Sequence, residues 1–234
     1  MKQRFYFVCL MLFALAAMVL LPELDAALQL DNSNADALLM ATGPTFAALK
    51  WDIGRNNMGG YKGYLLYVPE NAVATMPVVT EPSKATDNKD FVTAKGTFTF
   101  TEGATVKAPL YMYSTDGEVG YTAEQQGETD GISYKCTLEF FFPGSTPELH
   151  AFAALVKNTR GFYVFEDVDG QQFLLGQPGL PCTTVPSFNG GKKRSDRRGM
   201  SFKATCDSNY SAILMGTPID IRKAGGYEAA GIGG

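Results

Sequence analysis

The stretch GISYKCTLEFFF, residues 131–142, decides the fold class of this chain. Apolar side chains recur at every second position, and the polar residues Ser133, Lys135, Thr137 and Glu139 alternate with them. A period of two over this length is the side-chain period of a β-strand and not of a helix. We therefore predict a long, half-buried strand whose core face carries Ile132, Tyr134, Cys136, Leu138, Phe140 and Phe142.

Further β-strand patterns surround this stretch on both sides. RGFYVFEDVDGQQFLLG, residues 160–176, is typical of a β-hairpin that turns at Asp169-Gly170. A stretch with three prolines and several polar residues, 69–90, and a stretch rich in proline and glycine, 177–199, predict loops. Other predicted strands lie at 61–68, 97–101, 109–114, 118–124, 199–207 and 210–215.

One segment breaks the alternation and predicts a helix at about 146–157. Thr146 suits the N-cap, Pro147 suits the first helical turn, and Glu148 suits the positive end of the helix dipole. Apolar residues then follow at helical spacing, and His150 falls off their stripe, on the surface. The predicted fold class is mainly β, an antiparallel β-sandwich or barrel with this one flanking α-helix.

Composition and motifs exclude several classes of function. Hydrophobic residues make up 45% of the chain and charged residues 19%, which argues against a disordered protein. A net charge of -4 argues against a globally basic nucleic-acid binder. The chain has one histidine and no phosphate-loop, dinucleotide-binding, zinc-protease or serine-hydrolase motif. We therefore predict no catalytic, cofactor-binding or metal-binding residues.

The four cysteines lie far apart in the sequence and form no metal-binding or disulfide pattern. They are Cys9, Cys136, Cys182 and Cys206. Without the N-terminal segment three remain, and none is close to another along the chain. Buried free thiols are the prediction for these three.

The N-terminal 39 residues are a hydrophobic leader, for which three interpretations stay open. Lys2 and Arg4 precede the uncharged run 5–21, which is the layout of a secretory signal with a cut near Ala26. An uncleaved anchor fits the same run. Met40 also opens MATGPTF, so residues 1–39 fit an upstream extension as well. The β domain is then predicted at 40–222, followed by a flexible glycine-rich tail at 223–234.

A dense group of cations marks the loop 190–199, which we name the basic loop. It carries five basic residues around the single acid Asp196. In an acidic chain such a loop suits head-to-tail contact with the acidic body of a second copy. Loop 69–94 is also long enough to reach a neighbouring subunit. The subunit-interface candidates are Lys192, Lys193, Arg194, Arg197 and Arg198, and replacing all five with Ser is expected to leave the monomer folded but impair polymerisation.

Three segments in their order along the chain carry a resemblance to a known family. GGYKGYLLYVPENAV, 59–73, is followed by a variable loop, then RGFYVFEDVDGQQFLLGQPG, 160–179, and GMSFKATCD, 199–207. This order resembles the structural proteins of tailed bacteriophages and prophages of Bacteroidetes-type hosts, above all their tail tube proteins.

The resemblance implies a fold, a set of partners and a location. It implies a β-sandwich or barrel with one flanking helix, without catalytic residues, that forms hexameric rings stacking into a tube. The implied partners are further copies of the chain and other virion proteins, with DNA only as non-specific passing cargo and no small-molecule substrate. The implied location is the phage tail in the virion, assembled in the host cytoplasm.

Two other functions compete with this one. The first is a secreted or membrane-anchored β-sandwich that binds a surface partner. In this interpretation residues 1–26 are a signal or an anchor. A hydrolase without a known motif is the second, and no residue pattern in the chain requires it.

Overall fold

The computed structural model describes Phe46, Ala48, Leu49 and residues 57–224. This part of the chain is built mainly of β-strands, with two α-helices and two short 3-10 turns. The strands are β1 Tyr61–Pro69, β2 Val73–Thr75, β3 Thr93–Ala94, β4 Thr99–Phe100, β5 Leu110–Tyr113, β6 Gly120–Gln126, β7 Ser133–Pro143, β8 Gly161–Asp167, β9 Gln172–Leu175, β10 Thr183–Asn189, β11 Gly199–Ser208 and β12 Ile213–Met215. The helices are α1 Pro147–Val156 and α2 Ile221–Ala224, and the 3-10 turns are Glu70–Ala72 and Pro82–Lys84.

The strands form two main sheets and one small one. A six-stranded sheet has the order β3-β12-β9-β8-β1-β5, and a four-stranded sheet has the order β10-β11-β7-β6. Strands β2 and β4 make a separate pair. All pairings are antiparallel except that between β12 and β3. The described strands do not close into a barrel, so the predicted mainly β, antiparallel fold with a flanking helix is confirmed in its sandwich form.

The main core lies between the two large sheets and is rich in aromatic rings. Phe140 on β7 stacks on Phe202 of β11 with ring centroids 5.0 Å apart. Tyr163 of β8 meets Phe140 from the opposite sheet at 5.9 Å. Helix α1 adds Phe152, whose ring lies edge-on to those of Tyr67 and Phe202. These rings supply much of the apolar area that holds the two layers together.

A second core covers the other face of the six-stranded sheet. Leu66 and Val164 point into it, whereas their chain neighbours Leu65 and Phe165 point into the main core. Residues of the long loop after β2 and Ile221 of α2 pack over this face. Because both faces are buried, β1 and β8 carry unbroken apolar runs instead of an alternating pattern.

The chain passes from one sheet to the other at Ser114, which is fully buried. Its backbone N–H donates to the carbonyl of Gly63 on β1 at 2.9 Å. Its hydroxyl oxygen accepts from the backbone N–H of Phe141 on β7 at 3.2 Å. Gly63 has no Cβ, and one placed there would lie 2.7 Å from the Ser114 carbonyl oxygen. The crossover therefore needs both a small hydroxyl residue and a glycine.

Helix α1 follows the predicted helix closely. The hydroxyl of Thr146 accepts from the backbone N–H of Leu149 at 3.3 Å, which is the expected N-cap bond. Leu149, Ala153 and Val156 are the buried residues of the helix, and His150 is exposed as predicted.

The predicted core face of β7 is correct in the middle of the strand and wrong at its start. Cys136, Leu138 and Phe140 are buried as predicted. Ile132 lies before β7, in the preceding turn, and 55% of its surface is exposed. Alternation along a sequence does not reveal where a sheet ends, so an apolar residue in the turn was assigned to the core. Phe141, which the predicted faces left out, is also buried.

Two further predictions about elements are corrected. The predicted loop 177–199 contains a strand, β10. Because Pro186 lies within it, the sequence pattern indicated a loop. The predicted strand 97–101 shrinks to the two residues of β4, and Phe98, just before it, packs against the second core.

The predicted domain limits fall largely on residues outside the described ones. This holds for the leader 1–39 and for residues 225–234 of the predicted tail. Helix α2, Ile221–Ala224, crosses the predicted boundary at 222.

Three aspartate substitutions on or beside β7 test this facing. Phe140→Asp places an uncompensated carboxylate between the sheets and should cost more than about 3 kcal/mol, preventing soluble folding. Thr137→Asp lies on the solvated face and should melt within a few degrees of the unmodified protein. Ile132→Asp should do the same, because its side chain is already in water. Thermal unfolding followed by circular dichroism decides, and a wild-type melting temperature for Phe140→Asp would contradict the assignment.

Candidate functional site

The outward face of the four-stranded sheet is mainly polar, with Val185 and Phe141 as its apolar exceptions. Strand registers align one row of threonines across all four strands, Thr122, Thr137, Thr205 and Thr183. The hydroxyls of Thr183 and Thr205 lie 3.3 Å apart. A sheet that buries one face and hydrates the other needs this division of side chains.

Charges on this face alternate in sign and nearly balance. Lys203 on β11 bridges Glu139 on β7 at 2.8 Å. At the next charged position on this face of β7, Lys135 lies between Glu124 of β6 and Asp207 of β11. These side chains are exposed, so each pairing is worth well under about 1 kcal/mol. The face is therefore hydrated and without a large field of one sign.

Both edges of this sheet are unpaired within the part of the chain that the structure describes. Strand β6 bonds only to β7, and β10 bonds only to β11. Pro186 sits in β10 opposite Phe202. A proline is tolerated in an edge strand where its nitrogen faces away from the ladder, so it removes one outward donor from this edge. The remaining outward backbone groups are available to a further strand.

The basic loop forms the tip of the β10–β11 hairpin, and the structure brings all five predicted candidates together there. The residues from Lys192 to Arg198 are all exposed. Asp196 turns inward, where its carboxylate accepts from the backbone N–H groups of Lys192 and Lys193 at 2.8 and 2.9 Å. The N–H groups of Lys193 and Lys192 lower the pKa of Asp196, which keeps it ionised. The only acid of the loop thus orders its backbone and leaves the cations outward.

One of the five candidates, Arg197, is held within its own subunit. Its guanidinium forms an ion pair with Glu118 and lies 3.5 Å from the ring centroid of Phe141. The same ring covers Gly199, where a Cβ would come within 2.4 Å of it. Phe141 is thereby buried although it lies on the outward side of β7. No ion pair of Lys192, Lys193, Arg194 or Arg198 is present among the described residues.

We predict that Arg197 and Lys193 differ in their contribution to stability. Arg197→Ser removes a cation–π contact and an ion pair and should lower the free energy of unfolding by about 1 kcal/mol. Lys193→Ser should change it by less than about 0.5 kcal/mol, because its side chain is solvated. Urea unfolding of both variants measures the difference. Equal stabilities would show that the Arg197 contacts contribute nothing.

The three remaining cysteines come together in the main core. Their wide spacing along the sequence did not predict this proximity. Cys136 and Cys206 are directly opposite on β7 and β11, and Cys182 contacts Cys206. All three are buried free thiols, as predicted. The hydrogen bond with Cys206 and burial raise the pKa of the Cys136 thiol. Among the described residues no group of His, Cys, Asp or Glu side chains is arranged to hold a metal ion.

This arrangement predicts thiols that are chemically silent in the folded protein. Reaction with a water-soluble disulfide reagent at pH 8 should label none of the three in the native chain and all three after denaturation, because thiolate formation is disfavoured in the core. A Cys9→Ser variant removes the fourth thiol from the count. Rapid native labelling of Cys136 would refute the burial.

Comparison with protein-family models, curated proteins and solved structures finds no significant match for the chain. No helix in the described part of the chain is long and apolar enough to cross a membrane.

The sequence reasoning found the basic loop from its charge and missed the edge strand beside it. The signal for β10 was the short run TTVPSF, which its proline and the glycines nearby obscured. The open edge and the hydrated face became recognisable only from the strand order.

Proposed function

We propose that this chain is a non-enzymatic structural subunit that assembles with further copies of itself into stacked rings, as a tail tube-like conduit of a phage virion. The observation that carries the proposal is the four-stranded sheet, with two open edges and one polar outward face. A sheet of this kind can extend from subunit to subunit by pairing β6 of one copy with β10 of the next. Repeated around a closed ring, such pairing leaves no free edge.

The outward face also suits the lining of a conduit. Positive and negative side chains alternate on it, and the threonine row between them is uncharged. A lining rich in cations would bind the DNA backbone through its phosphates. A balanced, hydrated lining lets DNA pass as non-specific cargo. In this proposal the subunit acts on no small-molecule substrate and is assembled in the host cytoplasm together with other virion proteins.

A second candidate function rests on the apolar run at 5–21. If that run directs export or anchors the chain, the β-sandwich is a secreted or envelope-anchored binding domain. Its open sheet edges would then receive a strand from a different protein. The two proposals differ in whether the purified chain assembles with itself.

Electron microscopy of the purified protein tests the proposal directly. The full chain, and a variant that begins at Met40, should form rings or tubes in negative stain at micromolar concentration. Analytical ultracentrifugation should show one large species beside the monomer. Monomers alone, in both samples and at all concentrations, would contradict self-assembly and favour the binding domain.

Val185 on β10 allows a sharper test of the edge. Its side chain is 62% exposed on an edge strand, and a lysine there disfavours strand addition. We expect Val185→Lys to fold normally and to lose ring formation. Val168→Lys is the matched control, because Val168 is 41% exposed in the β8–β9 turn of the six-stranded sheet. Equal assembly of the two variants would exclude β10 from the contact.

A further inference from the structure

The basic loop has a counterpart at the opposite end of the same sheet. In the β7–β11 register, Gly199 lies opposite Pro143 and Ser208 lies opposite Tyr134. The basic loop therefore stands at the Pro143 end of β7, and the β6–β7 turn, residues 127–132, stands at the other end. With eleven residues in β7, at about 3.3 Å per residue, the two tips are roughly 35 Å apart.

The β6–β7 turn, which we name the acidic turn, carries the opposite charge. Glu128 and Asp130 are exposed in it, and the turn contains no lysine or arginine. Asp207 adds a carboxylate beside it, held by a 2.7 Å hydrogen bond from the amide of Gln126. Two cations lie near it: Lys135 has acidic residues opposite it on both neighbouring strands, and Arg160 is paired with Glu70. The sheet is thus electrically polar along its strands, with cations at one end and carboxylates at the other.

Each end also exposes one large apolar side chain. At the acidic turn, 55% of the Ile132 surface is accessible to water. Near the basic loop, 43% of Phe188 is accessible, and its ring leans on that of His150 at 4.8 Å. An exposed apolar residue surrounded by charges matches the usual composition of a contact surface, with an apolar centre and a charged rim. The two ends therefore complement each other in charge and in apolar character.

We infer that the basic loop of one copy docks on the acidic turn of the next copy. Lys192, Lys193 and Arg194 face the carboxylates of Glu128 and Asp130, and Phe188 approaches Ile132. The two surfaces of the contact differ, so it is heterologous and repeats without closing, with the strands of the sheet running along the stack. This inference rests on the proposed self-assembly and names its stacking surfaces, while the sheet edges make the contacts within a ring.

A charge exchange tests the contact in the full chain. The first variant carries Lys192→Glu, Lys193→Glu and Arg194→Glu, which makes both of its ends acidic. The second carries Glu128→Lys, Thr129→Lys and Asp130→Asn, which makes both of its ends basic. Asparagine is chosen at position 130 because the residue has a φ of 70°, which asparagine tolerates. Arg197 stays unchanged in both variants, since it stabilises its own subunit.

We expect each variant alone to lose stacking and an equimolar mixture to regain it. Rings of each variant are assembled separately and then mixed, so every acidic end meets a basic end and alternating stacks form. Sedimentation should show at least a tenfold loss of material larger than one ring for each variant and a return to wild-type amounts on mixing. Stacking of the unmodified chain should also decline between 0.1 and 1 M salt, where the Debye length falls from about 10 Å to about 3 Å.

The outcomes separate this inference from the proposed function. If the unmodified chain forms stacks and the mixture does not, the docking assignment is overturned and self-assembly stands. Stacking by either variant alone overturns it equally. If the unmodified chain stays monomeric, both proposals fail. Circular dichroism of each variant establishes that it is folded. Lys193→Ser, which removes one charge without reversing it, serves as a control with an intermediate loss of stacking.

Discussion

Burial of β1 and β8 on both faces is the constraint on which the rest of the structure depends. These two strands pair along their length in the middle of the six-stranded sheet, so they need a hydrophobic layer on each side. The four-stranded sheet supplies one layer, and the long loop after β2 with helix α2 supplies the other. Such a central pair leaves the six-stranded sheet little freedom to carry polar functional groups. Polar groups therefore concentrate on the four-stranded sheet, which needs to bury only one face.

The division between the two sheets explains where the exposed polar and charged groups are found. On the four-stranded sheet, the inward residues pack against Tyr163 and its neighbours, and the outward residues are free to be polar. Its hairpin tips project beyond the main core, so their charges cost little to maintain in water. In the basic loop, the Asp196 carboxylate accepts hydrogen bonds from backbone donors, and the surrounding cations remain solvated. Residues buried on both faces and residues exposed on one face thus belong to different layers of the sandwich.

Local patterns predicted much of this fold, and long-range pairing accounts for what they missed. The alternation in β7 and the Thr146 cap act over neighbouring residues, so both were predictable. Strand β10 was missed because Pro186 is acceptable only at an edge, and edges are defined by strand order. The basic loop was found from composition alone. The register between β7 and β11 places this loop at the opposite end of the sheet from the acidic turn. The same register brings Arg197 to Phe141 and Glu118, and no local sequence pattern contains it.

The buried hydroxyl of Ser114 has a mechanical consequence. The backbone N–H of Ser114 donates to Gly63 in one layer, and this hydroxyl accepts from Phe141 in the other, at the point where the chain changes sheets. Sliding one layer past the other would break these bonds together, inside a core where water cannot replace them. The sandwich should therefore resist shear as a single stiff plate. A load applied at one end of the strands would be transmitted to the other end with little internal deformation.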